Sequence, residues 1–457
     1  MVLSRFALSF CLFTCALLFG CDPGKPAPLS TETNSSAEQN GENFDPRAAE
    51  AEQDALTKLE RAFTVTTVRA GSQPGRPVIS LKLTSLDSKL GDGVTRYDDE
   101  LSVLRAFPAL RELRMTSCLI SGMGLKYLAD LKGLTLLELS SSPVIDAGLK
   151  ELPTLPNLET VNLGATHVTD DGIAELKRQP KLQKLQFSEP GITVRSFESF
   201  AIFPSLSSID TGGEGLSDTE LIALTKIPRL KHLSFWAYDK VTDRGMKSLA
   251  EVAGLKSLVL SLKSLETSAF ARIGGLNSLE QVTLQGAFVS KELLSQLAQW
   301  KQVKRLSLGW GKALTDEGLG AVAKMSQLES LTLLLALGIS DAGMDAVGKL
   351  TNLRELNLFG SEVGDTGVVK LSNLTQLRVL NLSVASGKTV TGKSLRALTK
   401  LTELQTLDLH GTKIADEDID VLAGFKKLKQ VQLSRTAVTP EGAEKLRKLL
   451  PDAEVVW

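Results

Sequence analysis

The chain has 457 residues, 42% hydrophobic and 23% charged, a balance too apolar for a disordered polymer. Its formal net charge of -1 supplies no basic excess for phosphate binding, so nucleic acid is not expected as a partner. Aromatic residues make up 5%, and there are 3 His and 4 Cys, which leaves little material for metal ligation or general-base work.

Behind Arg5, residues 6–20 form an apolar run. It is too short to span a bilayer, which needs ~20 apolar residues, and it fits the core of an export signal. The run ends in Leu18, Phe19, Gly20 and Cys21. These four residues resemble the lipobox of bacterial lipoproteins, with Leu three places before the Cys and a small residue directly ahead of it. Phe19 departs from that pattern by its size. The resemblance implies a signal peptide over 1–20, lipidation of Cys21 and a membrane anchor through that lipid, on the extracytoplasmic side, in the periplasm or at the cell surface. An ordinary secretory signal with Cys21 incidental is the alternative. Residues 21–44, rich in Pro, Ser, Thr, Asn and Glu, are too polar to order themselves and read as a disordered tether.

Residues 45–77 read as an N-terminal cap. An amphipathic helix carries Leu56, Leu59 and Phe63, and a hairpin then crosses a turn over 71–77. From Val78 the chain repeats itself. Leu110-Arg-Glu-Leu113-Arg-Met115 recurs from Leu134, Leu158 and Leu182. Later copies start at Leu206, Leu230, Leu255, Leu279, Val303, Leu328, Leu353, Leu377, Leu404 and Leu428. The period is ~24 residues over about fifteen copies, the mark of stacked supersecondary units. The end of each phrase alternates like a half-buried strand. A second phrase follows, as in Val168-Thr169-Asp170-Asp171-Gly172-Ile173, and recurs from Val241, Leu314, Ile339 and Val363. A hydroxyl followed by an acid suits a helix N-terminus, where the hydroxyl accepts an orphan amide proton and the acid complements the dipole. An insertion between Leu83 and Tyr97 reads as a loop, and the end of the chain as a closing helix and strand.

Together these phrases resemble the leucine-rich repeat family, in its ribonuclease-inhibitor-like and cysteine-containing subtypes. The resemblance implies an α/β solenoid (horseshoe) over 78–457, with a parallel sheet on the concave face, short helices on the convex face and a C-terminal cap. The third position after the last strand leucine, often Asn or Cys in the family, holds Cys118, Ser142, Thr166, Ser361, Thr412 and Thr436. A hydroxyl or thiol there can satisfy loop backbone groups, which gives Cys118 a ladder role in place of a nucleophilic one.

The chain has no C-x-x-C and no H-E-x-x-H. Its glycines follow the repeat, as turn and helix-start chemistry, and no phosphate-binding glycine loop is expected. Asp408 and His410 stand two apart on one strand, but no nucleophile or oxyanion element reads out beside them. Neither an enzyme nor a bound metal or other cofactor is expected. The larger residues on the concave face are His232, Trp236, Leu334, Asn357, Phe359, Asn381, Asp408 and His410, with Trp310 near the rim. Aromatic anchors among polar neighbours suit a protein or peptide ligand; packing under irregular loops is the other reading of Trp236 and Trp310. The leading expectation is a non-catalytic, lipid-anchored binding scaffold of the cell envelope. Two alternatives stand beside it. One is a substrate-recognition adaptor, since the repeats resemble those of F-box-associated ubiquitin-ligase receptors, although no F-box-like segment reads out before residue 78. The other is a structural envelope protein without a discrete ligand.

Overall fold

The computed structural model describes residues 46–71, 76–86, 97–188, 191–212, 216–237, 240–262, 273, 276–286, 289–309, 314–384 and 390–457. The expected signal and tether, Cys21, Trp310 and most of the 84–97 insertion lie outside these residues.

Every leucine phrase from Val78 to Leu428 forms one strand. The described residues fall into two compact units. The first comprises the described residues of Met1–His167 together with Glu175–Leu185. It opens with helix α1 (Pro46–Leu59) and strand β1 (Phe63–Arg69), which pairs antiparallel with β2 (Val78–Ser85). Parallel pairing then adds β3 (Glu112–Met115), β4 (Leu136–Glu138) and β5 (Thr160–Asn162). Glu52 of α1 is buried and ties this opening together. Its carboxylate accepts the Val78 backbone N–H at 3.1 Å and Arg69 Nη1 at 2.8 Å.

Strand β6 (Lys184–Phe187) follows. The second unit holds β7 (Ser208–Gly212), β8 (His232–Ala237), β9 (Ser257–Leu262), β10 (Gln281–Gln285), β11 (Arg305–Gly309) and β12 (Ser330–Leu334). It continues with β13 (Glu355–Asn357), β14 (Val379–Asn381), β15 (Thr406–Asp408), β16 (Gln430–Gln432) and β17 (Glu454–Val456). Each pairs with the next in parallel. Alternate strand residues turn inward, so register stacks Leu306, Leu331, Leu356, Leu380 and Leu407 in a row that is almost wholly buried. Burying a leucine is worth ~1.5–3 kcal/mol. This row, renewed in every repeat, is the core.

The second phrase of the repeat is explained by contacts between neighbours. In the second unit, Thr193, Thr242 and Thr391 cap short helices by accepting the amide two residues on. Each also donates its own hydroxyl and backbone N–H to an aspartate one repeat earlier. Thr242 bonds Asp218 at 2.5 and 2.7 Å, Thr391 bonds Asp365 at 2.6 and 2.8 Å, and Thr439 bonds Asp416 at 2.7 and 2.8 Å. The glycine that follows makes room: a Cβ on Gly245, Gly343 or Gly442 would overlap the carboxylate of Asp218, Asp316 or Asp416. Threonine, aspartate and glycine are thus one stitch between repeats.

The strand exits have their own ladder. Cys118 Sγ donates to the Leu83 carbonyl at 3.3 Å, Ser142 to Met115 at 3.1 Å, Thr166 to Leu163 at 2.8 Å and Thr412 to Leu409 at 2.6 Å. The residue just before the ladder position turns through left-handed backbone, at Ser117, Ser141, Ala165 and Arg435 with φ of 55–59°, and at Gly360 and Gly411 with φ of 68° and 72°. Where the sequence loses this ladder, at Pro190, Glu214, Tyr238, Lys263, Ala287 and Gly311, the residues lie outside those described. Ala336, a further departure, is buried.

Candidate binding surface

The surface opposite the buried leucines is built from residues that alternate with them. In the second unit its middle row runs through Asn357, Asn381 and Asp408, in register on β13 to β15. Each of these side chains turns back on its own strand end. Oδ1 accepts the backbone N–H two residues on: Phe359 at 2.9 Å, Ser383 at 2.8 Å and His410 at 2.9 Å. Gln432 does the same for Ser434 at 3.1 Å. These residues end the strand by satisfying the first amide beyond it, a job suited to short polar side chains.

Two of the expected contacts are nearly closed to solvent. Asn381 is 4% exposed, shared between Ser383 and Asp408 Oδ2, to which it donates at 3.2 Å. Leu334 is 9% exposed and lies against Gly309 of β11, where a Cβ would meet the Leu334 carbonyl oxygen at 2.9 Å. Asp408 is half-buried, and burial pushes its carboxyl above the ordinary value, partly offset by the His410 backbone N–H and the charge of His410. The bond joining Asp408 to His410 thus runs to the backbone amide of His410.

Trp236 is half-buried on β8. Its indole lies over Gly212, its register partner on β7, and any side chain there would occupy the same space. Sequence reasoning missed these seats. The available signal was a glycine at a strand position one period before each bulky residue. His232 shares β8 with Trp236, while Phe359 and His410 follow β13 and β15; all three are half-buried. The structure therefore makes two groups. One is His232 with Trp236. The other is Asn357, Phe359, Asp408 and His410, on the far side of β9 to β12. His167, in the first unit, is held in a loop by a bond from its N–H to the Val144 carbonyl at 2.8 Å.

Contrary to the expectation that no phosphate loop occurs, Gly387-Lys-Thr-Val-Thr-Gly392-Lys393-Ser394 spells the G-x-x-x-x-G-K-S consensus. Residues 387–389 lie outside those described. Thr391 and Ser394 belong to the repeat stitch: their hydroxyls are bonded to Asp365 at 2.6 and 2.7 Å, and Ser394 is fully buried. A hydroxyl so held is not presented to a phosphate or its metal.

Cys118 is also fully buried, and burial pushes its thiol up to about 12, against a backbone bond from Ser85 that lowers it. A thiol in that state is not a nucleophile.

Residues 349–372 match the family model described as Leucine Rich repeat. No curated protein matches the sequence. Among solved structures the chain is similar to an internalin from Listeria monocytogenes, at 19% identity, 90% coverage of this chain, 95% of that one and a TM-score of 0.36. It is also similar to an LRR protein of Leptospira interrogans, at 18% identity, 78% and 86% coverage and a TM-score of 0.42. A third is the yeast complex of Rad7 and Elc1, at 20% identity, 73% and 86% coverage and a TM-score of 0.49.

Proposed function

Because the chain is a leucine-rich-repeat solenoid, we propose that it is a non-catalytic scaffold that binds a protein or peptide on the outward face of the sheet of its second unit. The observation that carries the reading is the disposition of that face. His232, Trp236, Phe359 and His410 keep part of their surface open, while the polar residues between them are fixed by their own backbone bonds. Half-open aromatic and imidazole groups on a rigid framework are suited to anchoring a partner, because little side-chain freedom remains to be lost on binding.

The proposal includes export and a lipid anchor at Cys21, on the strength of the lipobox resemblance, with residues 21–44 as a tether. Metabolic labelling with radioactive palmitate tests this part. Label should enter the chain and disappear in Cys21→Ser; equal labelling of both would remove the anchor.

For the binding face, purified residues 45–457 serve as bait against solubilised cell envelope of the source organism, beside a Trp236→Ala/Phe359→Ala/His410→Ala bait with unchanged circular dichroism. A partner held by the first and lost by the second supports the reading. Capture of the same proteins by both, or of none, counts against it.

A further inference from the structure

Arg354 and Arg378 hold the same place in successive repeats, the residue just ahead of β13 and β14, and Lys429 holds it ahead of β16. Backbone bonds stack that place. Arg354 N–H donates to the Glu329 carbonyl at 2.8 Å, Arg378 to Arg354 at 2.7 Å, Gln405 to Arg378 at 2.8 Å and Lys429 to Gln405 at 2.7 Å. Arg354 and Arg378 are therefore carried on adjoining rungs, ~4.8 Å apart, Lys429 lies two rungs beyond Arg378, past Gln405, and all three are exposed. The turns leading into these strands add Lys349, Lys400 and Lys426, also exposed. Among the described residues, Lys427, paired with Glu403, is the one cation of this edge between 349 and 429 with an ion pair. The acids nearby are fewer: Glu329, itself paired with Lys304, then Glu355, Glu403 and, on the strand after β16, Glu454. A local positive excess thus sits on a chain whose net charge is -1. Like charges on neighbouring strands repel and do nothing for folding. A fixed row of them concentrates an anionic partner.

We propose that this strand-start edge, from β13 to β16, docks an acidic polypeptide segment. The inference rests on the protein-binding reading above and names the chemistry of the partner. A polypeptide fits better than a nucleic acid for two reasons. The row has no exposed aromatic side chain on which a base could stack. Its interspersed Glu355 and Glu403 would repel a uniform phosphate chain, but leave room for acids that are spaced apart. From Arg354 to Lys429 the row covers three rungs, ~14 Å, which four or five residues of extended chain can span.

The test is a fluorescence-anisotropy titration of the full-length chain with a labelled twelve-residue peptide alternating Glu and Ser, at low ionic strength. Its competitor is an oligothymidylate of the same length. Arg354→Ala/Arg378→Ala/Lys429→Ala should weaken peptide binding ~10-fold or more. Lys291→Ala/Lys445→Ala/Lys448→Ala, the same change in net charge at helix lysines, should leave it within about twofold. Absence of peptide binding, equal losses in both triple variants, or tighter binding of the oligothymidylate overturns the proposal. If a partner captured through the outward face binds both triple variants equally, this inference alone fails and the scaffold reading stands.

Discussion

A Cβ on Gly245 would overlap the carboxylate of Asp218 and meet its Cα at 3.0 Å, so this glycine and the aspartate of the preceding repeat are a fitted pair. Gly245 lies inside the helix Asp243–Leu249, where alanine would ordinarily be favoured by ~1 kcal/mol. The fit reverses that sign. Gly245→Ala should lower stability by ~1–3 kcal/mol, the usual cost of overpacking. Asp218→Ala should also destabilise, by loss of the two Thr242 bonds. The double variant should lose less than the two single losses combined, because the overlap with the carboxylate is gone. Urea denaturation of the four proteins measures this; additive losses would separate the two residues.

The left-handed turn before the ladder position makes a second prediction. Ala165 at φ 55° and Ser117 at φ 55° carry a Cβ in a conformation that costs an L-residue ~1–2 kcal/mol. Ala165→Gly should therefore raise the unfolding free energy by up to ~1 kcal/mol, the larger unfolded-state entropy of glycine offsetting part of the gain. Gly411→Ala should lower it, since a Cβ there would also meet the Val384 carbonyl at 3.0 Å. Denaturation midpoints that shift the other way would contradict the assignment.

The thiol of Cys118, buried and pushed up to about 12, should not react with iodoacetamide at pH 8 in the folded chain. Peptide mapping after alkylation should find Cys118 unmodified until denaturant is added. Labelling at native-state rates comparable to a free thiol would show the ladder to be open.

The aspartate stitches also fix a dependence on pH. Burial alone would raise Asp170 and Asp365, but the bonds from Ser196 and Thr193, and from Thr391 and Ser394, outweigh it and hold both carboxyls below the ordinary value. A carboxyl lower in the folded than in the unfolded chain stabilises fully above its unfolded value, about 3.9. That contribution is lost as pH falls through the folded value. Urea midpoints should hold from neutral pH to about 5 and fall steeply below about 4. Asp365→Asn should be weaker at pH 7 and show a shallower acid limb; parallel curves for the two proteins would rule the stitch out as the cause.

Much of the fold was legible because a leucine phrase repeated at a fixed period leaves little choice of secondary structure. Thr391 could be read as a helix cap from its neighbours alone. Its bond to Asp365 could not, since the two meet only after stacking. The candidate site was less legible for a related reason. Asn381 and Asp408 look like surface residues in a half-buried strand pattern, yet the amide two residues on takes up each side chain. Trp236 reads from sequence either as an anchor or as packing under a loop, and only strand register sets Gly212 beside it. The basic row of Arg354, Arg378 and Lys429 was hidden in a net charge near zero, and becomes visible only when one repeat position is compared down the stack.

The most direct test of the binding face is the dissociation constant of the captured partner for three proteins of equal thermal midpoint: the parent, Trp236→Ala/Phe359→Ala/His410→Ala, and Lys291→Ala/Lys445→Ala/Lys448→Ala on the helices. The account predicts that the first triple weakens binding by ~30-fold or more, as truncating an interface anchor does, and that the second leaves it unchanged. Unchanged affinity in the first triple with a loss in the second would place the partner on the helices and contradict the account.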